Sequence, residues 1–224
     1  MIKMVVFDMA GTTVNEDNVV YKTLQQAINQ HGFDFSLTEV LAEGAGKEKL
    51  QAVKDILASK EIDLPETEIQ EIFSNFLNQL KEAYLKLNVK PIEGAEEIFS
   101  FLKKNKILVV LNTGYNQETA ESLVKKLGWE KGKHFDELVT ASQVEKSRPY
   151  PDMILLAKEK FGINDTSNIA KVGDSIIDIV EGKNAGCGLN IGITTGAHTE
   201  QQLLSGEPDY IINDLRELEE LTVR

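Results

Sequence analysis

Acidic and hydroxyl side chains come soon after several apolar, strand-like runs of this 224-residue sequence. Asp8, Thr113 and Asp174 each lie within two residues of the end of such a run. Because the carboxyl ends of parallel strands meet at one edge of a sheet, where ligands bind, these three side chains are predicted to lie close together. Asp178 follows Asp174 by about one helical turn and is expected to join them.

Asp8 and Asp174 are both carboxylates, and two neighbouring carboxylates need a cation if both are to remain ionised. Oxygen donors of this kind favour a hard divalent ion, and the predicted ion is Mg2+. An aspartate can attack phosphorus directly and carry the phosphoryl group as an aspartyl-phosphate. The residue types therefore predict metal-assisted phosphoryl chemistry.

Donors for the phosphoryl oxygens are available on the same edge of the predicted sheet. Thr113 and Arg148 are candidates to bind these oxygens, and the backbone N–H groups around Gly11 and Gly114 would add further donors. An aspartate at a strand end can also be a simple helix or turn cap. The four features occur in the order that a phosphoryl site requires, and this order favours the chemical interpretation.

Composition limits the classes of protein that this chain can represent. It carries 24 Lys and Arg against 36 Asp and Glu, a formal charge of −12, which argues against a nucleic-acid or anionic-membrane partner. The single Cys187 excludes an internal disulfide framework and a multi-cysteine zinc site. The apolar stretch 1–7 is too short for a signal sequence or a membrane span. We expect a cytoplasmic protein.

The elements that must position these residues follow from the hydrophobic pattern. Short apolar runs alternate with amphipathic helical stretches, which predicts an α/β fold with a Rossmann-like parallel sheet. The runs are 2–7, 107–111, 138–140, 168–172, 189–193 and 210–212. Between residues 19 and 88 no strand-like run occurs, and helices are predicted at 21–30, 47–57 and 67–86. The predicted core comprises 1–16 and 91–224, with an inserted all-helical domain at 17–90.

Four segments resemble the four motifs of the haloacid dehalogenase (HAD) superfamily. They are Asp8-Met9-Ala10-Gly11-Thr12-Thr13, Asn112-Thr113-Gly114, Arg148, and Gly173-Asp174-Ser175-Ile176-Ile177-Asp178. The resemblance implies that the helical insert is a cap domain and that Asp8 is the nucleophile. It implies that the Mg2+ ligands are Asp8, the Ala10 carbonyl, Asp174 and Asp178. It also implies phosphoryl binding by Thr12, Thr113 and Arg148, and substrate contacts from Gly11, Asn112, Gly114 and Tyr115.

Ala10 departs from the pattern of most phosphatases in this superfamily. Those enzymes carry a second aspartate two residues after the nucleophile, where it protonates the leaving oxygen. Ala10 has no acidic group, and the sequence around it resembles the phosphonoacetaldehyde hydrolase (phosphonatase) branch. In that branch a cap lysine forms an imine with the substrate aldehyde, so that carbon becomes a competent leaving group when the P–C bond breaks.

The segment 43–47 is similar to the lysine-bearing loop of that branch at Gly44 and Lys47, so Lys47 is the candidate imine former. A lysine must be neutral to attack an aldehyde, and burial or a nearby cation can favour the neutral form. Two positions depart from the branch, because its histidine is Leu50 here and its methionine is Glu43. Glu43 could hold Lys47 protonated by pairing with it. Lys47 could also be an exposed residue at the start of a helix.

The sequence therefore predicts a Mg2+-dependent hydrolase of a small phosphonate, phosphonoacetaldehyde being the model substrate. One alternative is a phosphate-monoester hydrolase that resembles phosphoglycolate phosphatase. Another is a catalytically silent sensor of a phosphoryl ligand, although the presence of both Asp8 and Asp174 argues against it. The expected partner is a small phosphorylated or phosphonate metabolite, and the resemblance implies a homodimer formed through the cap.

Overall fold

The computed structural model describes residues 1–45 and 47–223. The strands of these residues are β1 (Met4–Asp8), β2 (Val14–Asn15), β3 (Lys90–Pro91), β4 (Leu108–Thr113), β5 (Glu137–Thr140), β6 (Ile169–Gly173), β7 (Leu189–Ile193) and β8 (Tyr210–Ile212). The α-helices are α1 (Val19–Asn29), α2 (Leu37–Gly44), α3 (Lys49–Ala58), α4 (Glu66–Lys86), α5 (Ala95–Lys104), α6 (Gln117–Lys126), α7 (Asp152–Lys160), α8 (Ile176–Ala185), α9 (Glu200–Leu204) and α10 (Leu218–Thr222).

Six strands form one parallel sheet in the order β5-β4-β1-β6-β7-β8. The chain reverses its direction of travel across the sheet beside β1, which is the switch point where open α/β sheets bind ligands. Every residue of β1 is buried, as expected for a central strand covered on both faces. The predicted α/β Rossmann-like fold is confirmed.

The alternation of side chains along β1 explains how both faces of the sheet are covered. Met4 and Val6 belong to a buried cluster that includes Met153 of α7. Phe7 points to the other face, where its ring contacts Phe99 of α5 with centroids 5.4 Å apart. Flanking helices therefore hold the central strand from both sides.

The chain divides into two compact units. The first comprises Met1–Asn15 and Val89–Arg224 and contains the parallel sheet. The second comprises Glu16–Asn88, and its described residues form α1 to α4 and no strand. The function of this helical unit as a cap stays a prediction.

Two details of the helical unit differ from the predicted helices. Helix α2 was not predicted, although Ser36 and Glu39 form a capping box at its start, which is a recognisable signal in sequence. Helix α3 begins at Lys49, because the Glu48 side chain accepts hydrogen bonds from the first free N–H groups of the helix. Lys47 therefore lies before the helix, whereas the prediction placed it inside. Gly46 of the predicted lysine-bearing loop lies outside the described residues.

Strands β2 and β3 form a second, antiparallel pair, in which Val14 lies opposite Pro91 and Asn15 lies opposite Lys90. This pair joins the segment that leaves the sheet unit after β1 to the segment that returns to it. Two residues per strand are too few to give a hydrophobic alternation, so the sequence did not predict this pair.

Candidate active site

The sheet register brings the predicted chemical residues to one edge. Asp8 is the last residue of β1 and lies opposite Asn112 on β4. On the other side, Phe7 pairs with Val172 of β6, so Asp174 emerges from the neighbouring strand at the same level. Asp178 follows in the first turn of α8. The structure therefore gathers residues that are as many as 170 positions apart in the chain.

Asp8, Asp174 and Asp178 form a buried acidic triad. Each residue offers a carboxylate oxygen, and the three oxygens lie within 4.8 Å of one another. All three side chains are buried. Three oxygen donors at this separation can bind a hard divalent cation in one shared site.

The ionisation of the triad is controlled by burial and by its neighbours. Burial raises the pKa of Asp8 to about 6, although Arg148 opposes the shift. Burial also raises the pKa of Asp174 well above its usual value, and the charges of Asp8 and Asp178 add to this rise. Burial would raise the pKa of Asp178 too, but Arg148 and Lys171 outweigh it and the pKa is lowered. Two of the three carboxylates thus lack sufficient positive charge around them.

Arg148 is the main cation at the nucleophile. Its Nη1 lies 2.6 Å from Asp8 Oδ1 and 3.0 Å from Asp178 Oδ1. Its Nη2 donates to the Asn112 carbonyl at 2.8 Å and also to Asn112 Oδ1. With its side chain only 5% exposed, Arg148 holds Asp8 in one orientation from inside the protein. Its predicted role in binding phosphoryl oxygens stays a prediction.

Asn112, which was predicted to contact substrate, has its side chain engaged inside the protein. Its Oδ1 accepts a hydrogen bond from Arg148 Nε at 3.1 Å, and its Nδ2 donates to Glu181 Oε1 at 3.0 Å. The amide therefore links the guanidinium of Arg148 to a buried carboxylate on α8. A direct contact of Asn112 with substrate stays a prediction.

Lys171 and Glu181 belong to the same buried cluster, and the sequence reasoning missed both. Lys171 Nζ lies 3.0 Å from Asp178 Oδ1 and 3.0 Å from Glu181 Oε2. A lysine inside the apolar β6 run Ile169–Gly173 was the available signal, because lysine is almost never fully buried without a partner. Glu181 follows Asp178 by three residues, so the two lie on the same face of α8.

The cluster carries an excess of negative charge. Its four carboxylates are Asp8, Asp174, Asp178 and Glu181, and its two cations are Arg148 and Lys171. When all six groups are ionised, two negative charges remain uncompensated. This excess matches the charge of one divalent cation, and it accounts for the direction of the pKa shifts of Asp8 and Asp174.

Asp174 is held by backbone groups from two loops. The Ala197 N–H donates to Asp174 Oδ2 at 2.6 Å, and Thr12 Oγ1 lies 3.4 Å from Asp174 Oδ1. A Cβ atom at Gly11 or at Gly196 would collide with Asp174 Oδ2. Glycine is required at both positions by this close approach, and at Gly11 also by a φ of +81°. The position of Thr12 beside the triad is consistent with its predicted role, which stays a prediction.

The remaining predicted residues of the sheet unit lie in the loops after β1 and β4. Thr113 is buried at the end of β4, and its Oγ1 accepts a hydrogen bond from the Tyr115 N–H at 3.2 Å. Gly114 is exposed between them, and Tyr115 is half-buried. Ala10 follows Asp8 by two residues, as the sequence requires. Substrate or metal contacts of these residues stay predictions.

Lys47 belongs to the helical unit, where its partner is Asp55. The two charged groups lie 2.5 Å apart, and each side chain is about a third exposed. Burial would raise the pKa of Asp55, but the hydrogen bonds from Lys47 and Gln51 outweigh it and the pKa is lowered. Lys49 donates to the Lys47 carbonyl at 2.8 Å. The predicted concern that an acidic neighbour holds Lys47 protonated therefore applies to Asp55, eight residues later in the chain.

The sheet, its switch point and the acidic triad together define a protein class. The chain matches the haloacid dehalogenase-like hydrolase family over residues 2–186. It belongs to this family and is a hydrolase. Among the described residues, no helix combines the length and apolar character needed to cross a membrane.

The chain is also similar to named proteins. It is 34% identical over 198 residues to the bifunctional phosphonoacetaldehyde hydrolase/aminoethylphosphonate transaminase of Clostridioides difficile, covering 83% of this chain but only 30% of that protein. It is 28% identical over 207 residues to the phosphonoacetaldehyde hydrolase of Bacillus cereus, covering 88% of this chain and 77% of the relative. The predicted resemblance to this branch is confirmed.

A solved structure shows the same fold. The crystal structure of a predicted phosphoglycolate phosphatase from Haemophilus somnus superposes with a TM-score of 0.81 and 22% identity. The match covers 99% of this chain and 98% of that one. At this level of identity the likeness concerns the fold alone, so it does not choose between phosphonate and phosphate substrates.

Proposed function

We propose that this hydrolase cleaves the P–C bond of a small phosphonate such as phosphonoacetaldehyde, with Asp8 as the nucleophile and Mg2+ as the cofactor. The observation that carries the proposal is the buried triad of Asp8, Asp174 and Asp178, with a methyl group at Ala10 where a proton donor would otherwise stand. The two named relatives, whose printed activities concern phosphonoacetaldehyde, support the choice of substrate.

The first half of the proposed reaction makes carbon a leaving group. The neutral amine of Lys47 condenses with the substrate aldehyde, water leaves, and a protonated imine forms. A carboxylate oxygen of Asp8 then attacks phosphorus and the P–C bond breaks. The electron pair of that bond moves to carbon and is delocalised onto the imine nitrogen, giving an enamine. No oxygen leaves in this step, so a proton donor at position 10 is unnecessary.

The second half restores the enzyme. The enamine takes up a proton at carbon, and water hydrolyses the resulting imine to release acetaldehyde and free Lys47. A second water attacks the aspartyl-phosphate and releases inorganic phosphate and Asp8. One water is formed and two are consumed, so phosphonoacetaldehyde and one water give acetaldehyde and phosphate.

The residues present fit a divalent cation. Asp8, Asp174 and Asp178 would hold it, and the Ala10 carbonyl is a further proposed ligand. When bound, Mg2+ supplies positive charge that stabilises negative charge developing on the phosphoryl oxygens. Arg148 meanwhile orients the Asp8 carboxylate through a contact of 2.6 Å, and so keeps the attacking group in a fixed position.

The ion pair between Lys47 and Asp55 favours a second candidate function. A lysine that remains protonated against Asp55 cannot condense with an aldehyde, and the site would then serve hydrolysis of a phosphate ester. A phosphate-release screen separates the two functions. We expect release from phosphonoacetaldehyde with Mg2+ and little release from a panel of phosphate esters; the reverse pattern identifies an ester hydrolase.

Mg2+ should stabilise the protein much more at pH 7 than at pH 5. Because burial raises the pKa of Asp8 to about 6, the folded state binds protons more tightly than the unfolded chain, and protons compete with the cation at pH 5. At 100-fold excess over Kd, ligand linkage predicts a rise in Tm of about 5–10 °C at pH 7. Differential scanning calorimetry with EDTA-treated protein gives the comparison.

Asp174→Asn is the control for this metal effect, because it removes one carboxylate of the triad while nearly preserving its shape. The rise in Tm at pH 7 should shrink strongly in this variant. Equal rises at both pH values, or an undiminished rise in Asp174→Asn, would place the cation elsewhere.

Arg148→Ala should reduce turnover far more than folding. The guanidinium contacts both Asp8 and Asp178, and loss of one charge-stabilising donor in a water-poor site costs on the order of 3 kcal/mol, or about 100-fold in kcat. The measurements are kcat and the circular dichroism melting curve. Arg216→Ala on the surface of the same unit is the matched control, with kcat expected at the wild-type level. A parallel loss of folding and turnover would make Arg148 a structural residue only.

The proposed ligand is a small phosphonate or phosphorylated metabolite. A homodimer formed through residues 17–90 stays a prediction, and sedimentation velocity on the full chain tests it.

A further inference from the structure

Lys171 and Glu181 form an ion pair that is entirely inside the protein, with both residues 0% exposed. Lys171 lies on β6, three residues before Asp174, and Glu181 lies on α8, three residues after Asp178. Gly182 next to Glu181 permits the close packing of α8 on β6, because a Cβ there would collide with Asn190 and approach Lys171 to 2.8 Å. The pair is therefore built into the packing of the helix on the sheet.

Such a pair is an expensive way to fill a protein interior. Removing two charges from water costs several kcal/mol per ion, and well-packed apolar side chains of similar volume are often equally stable or more so. The pair contributes no net charge to the cluster. Stability and charge balance thus leave its presence unexplained, and its contacts with the site residues become the relevant observation.

Each member of the pair contacts residues that surround the nucleophile. Glu181 Oε1 accepts the hydrogen bond from Asn112 Nδ2 at 3.0 Å, and Glu181 Oε2 lies 3.1 Å from Arg148 Nε. Lys171 Nζ lies 3.0 Å from Asp178 Oδ1 and donates to Asn112 Oδ1 at 3.3 Å. The pair therefore fixes the side chains of Asn112, Arg148 and Asp178 at the same time.

The contacts also fix which edge of the Arg148 guanidinium faces the nucleophile. Glu181 and the Asn112 amide both lie at Nε, so the Nη1 group is left to face Asp8 at 2.6 Å. Without Glu181, the remaining carboxylates Asp8 and Asp178 would attract the guanidinium from one side only. The orientation of Arg148 is thus set from behind, by groups that do not themselves reach the sheet edge.

We propose that Lys171 and Glu181 are positioning residues for the phosphoryl site, acting through Arg148, Asn112 and Asp178. This inference rests on the proposed function for its phosphoryl ligand, but it does not depend on P–C cleavage. The pair should affect the transition state more than ground-state binding of substrate, because it sets the geometry of the charges around Asp8.

The test compares the double variant Lys171→Met/Glu181→Leu with the two single variants. Each single change leaves one buried charge without its partner, so Tm should fall clearly. The double change removes both charges together, and Tm should return towards the wild-type value. If the pair positions the site, kcat of the double variant stays about 10- to 100-fold below wild type, with KM changed less than threefold.

Two additional variants keep the test decisive. Glu181→Gln preserves the shape of the side chain and an acceptor for Asn112, so it should fold and still lose kcat by about tenfold. Lys183→Met/Glu207→Leu removes an exposed ion pair of the same helix and should leave kcat at the wild-type level. A double variant that regains both Tm and kcat, or a folded Glu181→Gln with wild-type kcat, overturns the inference.

Binding of an oxyanion separates this inference from the proposed function. Orthovanadate with Mg2+ is titrated into each variant by isothermal calorimetry, which requires an organised phosphoryl site but no P–C chemistry. We expect vanadate affinity to fall at least tenfold in the double variant. If wild type binds vanadate but does not hydrolyse phosphonoacetaldehyde, the proposed function fails and the vanadate affinities alone decide the inference; unchanged affinities overturn it.

Discussion

Asp8→Asn is expected to abolish phosphate release, with a loss in kcat on the order of 10⁶-fold. The substitution keeps the size of the side chain and an oxygen that can face Arg148 Nη1, now 2.6 Å from Asp8. It removes the anionic oxygen that must form the bond to phosphorus, so the loss concerns chemistry and not folding. The measurement is phosphate release under saturating substrate, together with a melting curve that should show a folded protein.

Asp34→Asn, an exposed aspartate of the helical unit, is the control for this experiment and should keep wild-type activity. Trapping of a phosphorylated protein by acid quench adds a second readout, since the phosphoryl group should appear in wild type and be absent from Asp8→Asn. A folded Asp8→Asn protein that releases phosphate at a wild-type rate would show that another residue, or water, attacks phosphorus.

Lys47→Arg is expected to abolish both turnover of phosphonoacetaldehyde and its trapping by borohydride. Arginine keeps the positive charge that faces Asp55, but it supplies no neutral amine for the condensation. In wild type, reduction of the imine by borohydride should leave a covalent adduct that mass spectrometry locates at Lys47.

Lys49→Arg is the matched control, because Lys49 is the next lysine in the chain and donates to the Lys47 carbonyl. It should still be trapped by borohydride at Lys47. Wild type that hydrolyses phosphate esters, is not trapped and tolerates Lys47→Arg would retain its family membership and lose the P–C assignment.

The sequence predicted the edge of the sheet at which the site forms. Short apolar runs identify buried parallel strands, and the topology of such sheets brings the strand ends together, so Asp8 and Asp174 could be expected to meet. The contacts behind this edge were not predictable in the same way. Lys171 is one charged residue inside an apolar run, and a hydrophobic pattern averages it away.

The environment of Lys47 shows a second limit of sequence reasoning. Glu43 was considered as its partner because it is close in the chain, whereas the structure pairs Lys47 with Asp55. The difference arises because α3 starts at Lys49, with Glu48 capping it, so the orientation of Lys47 is set by a loop and not by helical periodicity. A helix start that moves by two residues changes which acidic side chain can be reached.

The short antiparallel pair of β2 and β3 has a consequence for the modularity of this chain. Asn15 and Lys90 lie opposite each other at the end of the pair, so the 74 residues between them leave and return at adjacent points of the backbone. A β-hairpin turn of a few residues could join these two positions without altering any strand of the parallel sheet. The helical segment thus occupies the position of a hairpin loop, and helical inserts of other lengths could be exchanged there while the catalytic edge keeps its register.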